Sequence, residues 1–370
     1  MAPWGTRRAS ESTVGLSQSW SAMGILPTLR AVWPRRYGRA RICGVAADMA
    51  GMTESNSHDH GRSVSYRSAT GGENMKVGFI GVGSMGGPMC RNIIRKSGEE
   101  VIVFDLNAEA VKTCTTLGAK AAASIAALAA DADVIMTSLP MPRDVEAVAL
   151  GPGGIAENAR QGTVYFDLST NAPSVVRRIA QQLAARGITM LDAPVSGGVA
   201  GAEKATIAIM VGGDKAAFDA HQPLLKSFGA NVFHMGDLGT GTVAKLVNNM
   251  MAFCNMASAA EGLMLGAMAG IDVRKLDDVI RNSSGNSNAY RLMAERVMKG
   301  EFKPSFALDL AYKDTHLALE LADELGAPTP QAAQAHNLMR LARGMGFGQS
   351  DTSSMMRVYE TALKREVRSG

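Results

Sequence analysis

The segment that most constrains the fold is a short apolar run that leads directly into a glycine-rich turn. Lys76–Ile80 has the pattern of a buried strand, and a helix-compatible stretch follows the turn. A bare GxGxxG motif is weak, but the strand before it, the helix after it and Pro88 in the first helical turn supply the context it requires. Such glycines let the backbone approach a pyrophosphate held on helix amides. The turn is Gly81-Val82-Gly83-Ser84-Met85-Gly86, and it predicts a dinucleotide site.

An acid closes the next apolar run, Val101–Asp105. Asp105 stands 24 positions after Gly81, where an acid hydrogen-bonds the adenosine ribose and repels a 2′-phosphate. No arginine follows until Arg143. The spacing therefore predicts NAD rather than NADP. The alternative is that Asp105 caps a helix beginning near Ala108.

Strand and helix patterns alternate from residue 75 to about 236, which predicts a doubly wound parallel sheet of the α/β class. The expected helices are 111–117, 124–130 and 174–186, and the expected strands are 134–138, 163–167, 189–192 and 207–211. Ligands bind outside the carboxyl ends of such strands. Three loops are therefore candidates for ligand contact: 138–140, 169–170 and 192–198.

The third loop carries a hydroxyl followed by two glycines, Ser196-Gly197-Gly198. Bare glycine amides can form a small anion nest, and a carboxylate is a natural occupant. The alternative is a tight turn into the strand pattern 207–211.

After Gly239 no strand pattern returns, and residues 237–370 read as helical. The first helix, from Thr240 to about Ala269, is apolar, so we expect both of its faces to be covered and the helix to join the two halves. Lys245 and Asn249 lie on one face of it, one turn apart. A lysine desolvated in a cleft has a lowered pKa and can donate a proton near neutral pH. The alternative is a surface lysine at a helix start.

A second lysine, in the pair Lys313-Asp314, lies within a later helical pattern. Such a pair ordinarily forms a solvated face, but it could also deliver a cation to the cleft.

Composition excludes several classes of protein. Hydrophobic residues make up 46% and charged residues 19%, as in a globular protein. No apolar run reaches the length of a membrane span. The four cysteines are far apart and form no CxxC pair, which predicts a reducing compartment without a metal site or disulfide framework.

Residues 1–74 differ from the rest. They hold nine arginines, no lysine and five acids, so the whole net charge of +4 lies there and the remainder is balanced, which argues against a nucleic-acid partner. An Arg- and Ser-rich leader is typical of a mitochondrial transit peptide, but acids, Gly and Pro interrupt any amphipathic helix. We favour the alternative that the protein starts at Met75. We exclude 1–74 from the fold and expect a cytoplasmic protein, or a mitochondrial matrix protein if the leader is a targeting signal.

The chain resembles the β-hydroxyacid dehydrogenase family, which includes 3-hydroxyisobutyrate dehydrogenase and tartronate semialdehyde reductase, over essentially all of 75–365. The matching segments are 79–89, 192–198, 210–213, 241–249 and 313–314. The resemblance implies a Rossmann domain (75–236), then an all-α domain (237–370) joined to it by a long helix, with the active site between them. It also implies an NAD-dependent oxidoreductase that interconverts a small β-hydroxy acid and its semialdehyde.

The resemblance further assigns roles to residues. Lys245 would be the catalytic residue, Asn249 its partner, and Ser196, Gly197 and Gly198 the site for the substrate carboxylate. Contacts to NAD would come from Gly81 to Gly86 and from Leu139, Pro140, Thr170 and Lys313, the last also closing the cleft. The apolar helical half suggests a homodimer or homotetramer.

Three departures from the family pattern leave the substrate open: Ala205-Thr206-Ile207, Asp144 and Asn286–Arg291. One alternative is a reductase of tartronate semialdehyde, glyoxylate or succinic semialdehyde; the glyoxylate and succinic semialdehyde enzymes tend to use NADPH and to carry Asn-Arg-Thr in place of 105–107. Imine reductases share the fold but typically lack the lysine. From another class, a catalytically silent NAD-binding sensor would not require Lys245, Asn249 and Ser196 together.

Overall fold

The structure is a computed structural model that describes residues 74–369. The predicted leader, apart from its last position, lies outside these residues. The strands are β1 (Lys76–Ile80), β2 (Glu100–Phe104), β3 (Lys120–Ala121), β4 (Val134–Thr137), β5 (Val164–Asp167), β6 (Thr189–Asp192), β7 (Val195–Ser196), β8 (Ile207–Gly212) and β9 (Gly229–Gly236). The helices of the first half are α1 (Gly86–Lys96), α2 (Ala108–Thr115), α3 (Ile125–Asp131), α4 (Pro142–Leu150), α5 (Ile155–Asn158), α6 (Pro173–Ala184), α7 (Gly198–Lys204) and α8 (Lys215–Lys226).

The second half is helical in the described residues, apart from an isolated bridge between Ala307 and Asp351. Its helices are α9 (Thr240–Met268), α10 (Val273–Arg281), α11 (Asn288–Lys299), α12 (Leu308–Leu325), α13 (Pro330–Gly344) and α14 (Met356–Leu363), with a 3-10 turn at Thr352–Met355. The expected long helix from Thr240 is therefore confirmed.

The strands form one sheet in the order β3-β2-β1-β4-β5-β6-β8-β7, with β9 also paired to β8. Strands β1 to β6 pair in parallel. The chain runs outward in one direction from β1 to β3 and in the other from β4 to β6. This reversal opens a crevice at the carboxyl ends of β1 and β4, the usual position of a dinucleotide. The predicted doubly wound sheet is confirmed here.

The far end of the sheet departs from the parallel arrangement. β8 runs antiparallel to β6 and β7, and β9 runs parallel to β8. The expected tight turn from Gly198 into the strand at 207 is wrong, because α7 lies between them. The chain turns back through β7 and α7 instead of making a full crossover, so β8 enters the sheet in the reverse direction.

The apolar side chains form a layer on each face of the sheet and a separate core in the helical half. Phe166 and Tyr165, neighbours on β5, illustrate the alternation: Phe166 packs in one layer and Tyr165 in the other. The helical core surrounds α9. The expectation that both faces of α9 are covered is wrong for this chain alone, since Met251 and Leu265 are 58% and 71% exposed.

A small apolar cluster joins the two halves. Leu246 of α9 and Leu317 and Ala318 of α12 pack together, with Ala172 at the start of α6 against them. Nearby, Arg177 Nε donates to the carbonyl of Leu238 at 3.4 Å. The contact holds α9 and α12 beside the carboxyl ends of the strands. Within residues 74–369, no helix is long and apolar enough to cross a membrane.

Candidate active site

The glycine turn after β1 is built for close backbone approach. Gly81 has φ +87°, and a Cβ on it would lie 2.5 Å from the carbonyl oxygen of Ser138. Gly86 opens α1 directly against the Gly81 carbonyl, which leaves no room for a side chain. On the Cβ side of Gly83, by contrast, no described atom lies within 4 Å. This cradle fits a pyrophosphate on the amides at the start of α1.

Asp105 is placed to face that cradle. Its Oδ2 accepts a hydrogen bond from the Val82 amide at 2.8 Å, and its Oδ1 accepts one from the Asn107 amide at 2.8 Å. The alternative that Asp105 caps α2 is wrong, because the cap is Asn107, whose Oδ1 accepts from the Glu109 amide at 3.0 Å. The carboxylate therefore joins β2 to the glycine turn, and its role in binding the ribose stays a prediction.

The loops after β4 and β5 are held together by polar contacts. The Leu139 amide donates to Ser169 Oγ at 2.9 Å. Beneath them lies the buried Asp167, whose carboxylate accepts from Thr137 Oγ1 at 2.9 Å and from Asn171 Nδ2 at 3.2 Å. Burial raises the pKa of Asp167. These contacts order the two loops that contain the predicted cofactor residues.

Lys313 spans the cleft between the two halves. Its Nζ donates to the carbonyls of Pro140 and Thr170, both at 3.0 Å. It also lies 3.1 Å from Asp314 Oδ1, an ion pair without hydrogen-bond alignment. The structure thus brings together three residues predicted to contact the cofactor. The lysine clasps the loops after β4 and β5 to α12, which is the cleft-closing position implied by the resemblance.

The start of α9 is seated on the ends of β6 and β8. The Asp192 carboxylate accepts from the amides of Gly239 at 2.7 Å and Thr242 at 2.6 Å. Gly241 packs directly on the Met210 carbonyl, and a Cβ on Gly212 would lie 2.5 Å from Asp192 Oδ1. Only glycine allows this approach of helix to sheet.

Lys245 lies one turn into α9 and is 8% exposed. The alternative of a surface lysine is therefore wrong. The pKa of Lys245 is lowered to about 8, chiefly by burial; the negative charge of Asp314 partly opposes this effect, and the positive charge of Lys313 adds to it. Within residues 74–369, no group makes a hydrogen bond to its ammonium. A desolvated amine with this pKa can give or take a proton near neutral pH.

A chain of polar side chains runs beside Lys245. Asn249 Nδ2 donates to Asp314 Oδ2 at 2.7 Å, and Asn248 Nδ2 donates to Asn249 Oδ1 at 3.0 Å. Asn248 Nδ2 also lies 3.4 Å from Ser196 Oγ. The chain brings Ser196 of the predicted carboxylate loop against the helix that carries Lys245 and Asn249.

Both glycines of the predicted carboxylate loop have positive φ angles, a backbone conformation that favours glycine. Gly197 has φ +136° and Gly198 has φ +64°, and both are exposed. Ser196, in β7, is half-buried. The loop is thus open to the cleft, and its role in carboxylate binding stays a prediction.

Three polar residues of the site had no assigned role in the sequence. Asp192 ends a buried strand, and Asn248 interrupts an apolar helical run. Asp314 directly follows Lys313 in α12, and its side chain is buried. An acid at the carboxyl end of a buried strand and a polar residue on an apolar helix face were the available signals.

Comparison with known proteins identifies the family. The family model for the NAD binding domain of 6-phosphogluconate dehydrogenase matches residues 76–236. The model for the NAD-binding region of NADP-dependent 3-hydroxyisobutyrate dehydrogenase matches residues 239–359. The chain is 41% identical to 2-(hydroxymethyl)glutarate dehydrogenase of Eubacterium barkeri over 299 residues, which is 80% of this chain and 99% of the relative. The chain belongs to the β-hydroxyacid dehydrogenase family.

Other relatives agree. A 3-hydroxyisobutyrate dehydrogenase of Pseudomonas aeruginosa is 39% identical over 72% of this chain and 91% of its own length. The crystal structure of 3-hydroxyisobutyrate dehydrogenase from Salmonella typhimurium superimposes with a TM-score of 0.71 at 32% identity, covering 77% of this chain and 100% of that one. The chain is thus an NAD-dependent hydroxyacid dehydrogenase, as the resemblance implied. Imine reductases at 18–19% identity share the fold alone.

Proposed function

We propose that this dehydrogenase oxidises the hydroxymethyl group of a small β-hydroxy acid of the 3-hydroxyisobutyrate type to the semialdehyde, and catalyses the reverse reaction, with Lys245 as the general acid and base. The observation that carries the proposal is the buried Lys245 ammonium. It lies at the cleft, has a pKa lowered to about 8 and makes no hydrogen bond within residues 74–369. The two parts of the chain, 75–236 and 237–370, then serve as cofactor domain and substrate domain.

The proposed mechanism divides the work among the cleft residues. When bound on the glycine turn, the dinucleotide supplies the hydride chemistry. Lys245 removes the hydroxyl proton during oxidation and returns it to the carbonyl oxygen during reduction. Asn249 keeps one amide hydrogen bonded to Asp314, so its second N–H is available to hold the same substrate oxygen. Positioning and one matched proton transfer are the usual contributions of a protein to such a reaction.

The substrate carboxylate is assigned to the loop 196–198. Ser196 offers a hydroxyl, and Gly197 and Gly198 are exposed residues without side chains, so an anion can approach their backbone amides. The contact between Ser196 and Asn248 keeps this loop one turn of helix from Lys245. We propose that the substrate spans these two groups, with its carboxylate two bonds from the reacting carbon.

The relatives indicate which part of the substrate is shared. The names of three of them specify 2-(hydroxymethyl)glutarate, 3-hydroxyisobutyrate and L-serine. All three molecules have a hydroxymethyl group on the carbon that bears the carboxylate, and they differ in the third substituent. We propose this common unit as the substrate class, with 3-hydroxyisobutyrate as the first candidate.

A panel of substrates tests the proposal. Both enantiomers of 3-hydroxyisobutyrate, 2-(hydroxymethyl)glutarate and L-serine are assayed at 340 nm with NAD and with NADP. Tartronate semialdehyde, glyoxylate and succinic semialdehyde are assayed with the reduced cofactors. We expect turnover of the hydroxymethyl acids. Preference for a semialdehyde or glyoxylate with NADPH would favour the reductase alternative, and NADH binding without any turnover would favour the sensor.

We also propose that Asp105 sets a preference for NAD over NADP. A carboxylate at the end of β2 repels a 2′-phosphate. Replacing it in an Asp105→Ser variant should raise the ratio of kcat/KM for NADP to that for NAD by about 10- to 100-fold. The matched control is Glu109→Ser, which removes an exposed acid from the first turn of α2. An unchanged ratio in Asp105→Ser would contradict the assignment.

We propose that the chain works as a homodimer or homotetramer that buries one stripe of α9. Val247, Met251 and Leu265 lie along this stripe and are exposed in the single chain, and contiguous exposed apolar surface often marks an interface. Sedimentation should show an oligomer that Leu265→Glu dissociates. Leu325→Glu, on an equally exposed leucine of α12, is the control.

For the compartment, we propose the cytoplasm, because acids, glycine and proline interrupt any amphipathic helix in residues 1–74. Relatives from Dictyostelium discoideum and Mus musculus are named as mitochondrial enzymes, so the mitochondrial matrix is the alternative. Cell fractionation with N-terminal sequencing of the purified protein distinguishes the two. A mature protein that lacks the arginine-rich segment and is found in mitochondria would support targeting.

A further inference from the structure

We propose that Asp192 is a positioning residue that sets the placement of Lys245 relative to the substrate loop. The inference rests on the proposed function of Lys245. It concerns a residue whose two carboxylate oxygens are both bonded to backbone amides and which acts through the first turn of α9.

The Asp192 side chain joins segments that are far apart in sequence. Its Oδ1 accepts from the Gly239 amide, 47 residues away, and its Oδ2 accepts from the Thr242 amide, 50 residues away. The first turn of a helix has amides without intrahelical partners, and a side chain at the N-cap usually satisfies one of them. Because the N-cap of α9 is Gly239, it has no side chain for this purpose. A carboxylate from β6 replaces it.

The two contacts determine how the first turn is placed. Two hydrogen bonds from one buried carboxylate, to amides three residues apart, fix both the height and the rotation of this turn. Lys245 follows Thr242 by three residues, so the two lie on the same side of α9. Since the ammonium of Lys245 makes no hydrogen bond within residues 74–369, its position follows from the position of the helix.

Asp192 also begins the loop that ends in the proposed carboxylate site at 196–198. The same residue therefore anchors one end of the substrate loop and the turn that leads to Lys245. The fit is close, since a Cβ on Gly212 would lie 2.5 Å from Asp192 Oδ1. A longer side chain at 192 has no space unless the helix moves.

The test is an Asp192→Asn variant. Asparagine keeps the size and one acceptor, but it turns an N–H group toward the second backbone amide, so the turn must shift. A displacement of about 1 Å in an active site can lower turnover about 100-fold. We expect kcat to fall by about 10- to 100-fold. The kcat is calculated per NADH-binding site, and the sites are counted by fluorescence titration. The Kd for NADH from the same titration should stay within about twofold of wild type.

The pH profile separates position from charge. The charges that shift the pKa of Lys245 are those of Asp314 and Lys313, so the rising limb of the oxidation rate should keep its place near pH 8 in Asp192→Asn. A kcat within about twofold of wild type would overturn the proposal. A limb that moves to lower pH while kcat on the plateau is unchanged would overturn it as well, because Asp192 would then act through its charge rather than through the position of the helix.

Three further variants complete the experiment. Asp272→Ala removes a carboxylate that accepts two amides at the start of α10, so it should lower the melting temperature and leave kcat unchanged. If Asp192→Asn does not fold, Asp192→Glu keeps the charge but reaches one methylene further, and wild-type kcat in it would overturn the proposal. Activity in Lys245→Met would refute the proposed function, whereas an inactive Lys245→Met beside a normal Asp192→Asn would refute the positioning role alone.

Discussion

Two lysines lie near each other in the cleft, and their surroundings differ. Lys245, on α9, is buried and makes no hydrogen bond within residues 74–369, and its pKa is lowered to about 8. Lys313, on α12, donates to two carbonyls and pairs with a carboxylate. The charged form of Lys245 is destabilised by burial, which suits a group that gives and takes a proton. The ammonium of Lys313 has hydrogen-bond acceptors, which suits a structural role. The difference teaches that the partners of a side chain determine its role.

The largest expected effect comes from removing the first ammonium. Lys245→Met should lower kcat by about 100- to 10,000-fold, because the proton transfer loses its donor and acceptor. Fluorescence titration should show nearly unchanged NADH binding. Lys245→Arg is the matched variant: it keeps the positive charge but cannot lose its proton, so oxidation should stay as slow as in Lys245→Met. Rapid oxidation by either variant would contradict the assignment of proton transfer to Lys245, and with it the difference in role between the two lysines.

Removing the second ammonium should act on stability. Lys313→Met leaves the carbonyls of Pro140 and Thr170 without their donor and Asp314 without its ion pair, so the free energy of unfolding should fall by about 1 to 3 kcal/mol. Urea unfolding measures the change. Lys299→Met, which breaks an exposed pair with Glu295, should leave the free energy of unfolding nearly unchanged. Equal losses in the two variants would show that the clasp across the cleft contributes nothing.

Urea unfolding should show the opposite effect for Lys245: its removal should raise the free energy of unfolding near neutral pH. Its pKa is about 8 in the folded protein against 10.5 ordinarily, so between these pH values the folded state holds fewer protons than the unfolded state. Stability from this group therefore rises with pH from about 8 to 10.5, and below pH 8 the buried charge costs about 1 to 3 kcal/mol. Lys245→Met should unfold at higher urea than wild type at pH 7. The advantage should shrink by pH 10.

The smallest effect is a shift along the pH axis. Asp314 raises the pKa of Lys245, so Asp314→Asn should move the rising limb of the oxidation profile below its wild-type position near pH 8. The pH at which the oxidation rate rises is the quantity to compare. The maximal rate is not, because Asp314→Asn also loses the contact to Asn249 and should lower that rate. Asp309→Asn, on the same helix but paired with Arg343, should leave the limb in place. A limb that moves upward would mean that Asp314 does not act on Lys245 as a negative charge.

The sequence was sufficient for the parts of the fold that depend on local pattern. The glycine turn, the strands β1, β2, β4, β5 and β6 and the long helix from Thr240 all follow from apolar periodicity and from Gly and Pro at their ends. The two-residue strand β3 was not predicted, because Lys120–Ala121 carries no apolar pattern. The reversed strand β8 could not be predicted in this way, because strand direction depends on where the chain turns back, and Ala205 at φ 55° carries no turn signal. The exposed stripe of α9 was missed because an apolar helix reads the same whether a partner or its own chain covers it.

For the site, the sequence identified residue types but not their partners. Lys245, Asn249, Pro140, Thr170 and Lys313 were singled out, and the structure brings them together around the cleft. The contacts of Asp192 to Gly239 and of Asn249 to Asp314 span 47 and 65 residues. Spacing along a chain reports neighbours within one helix or strand, whereas these contacts depend on how separate elements pack: β6 against the start of α9, and α9 against α12.

Helix α9 is long enough to act as a lever. Its 29 residues span about 44 Å at the usual rise, so a tilt of about 5° around its first turn moves the far end by about 4 Å. Leu265, near that far end, is exposed in the single chain. In the oligomer proposed above, a partner subunit packed against this end would limit such a tilt, and so would keep the lysine near the other end in place.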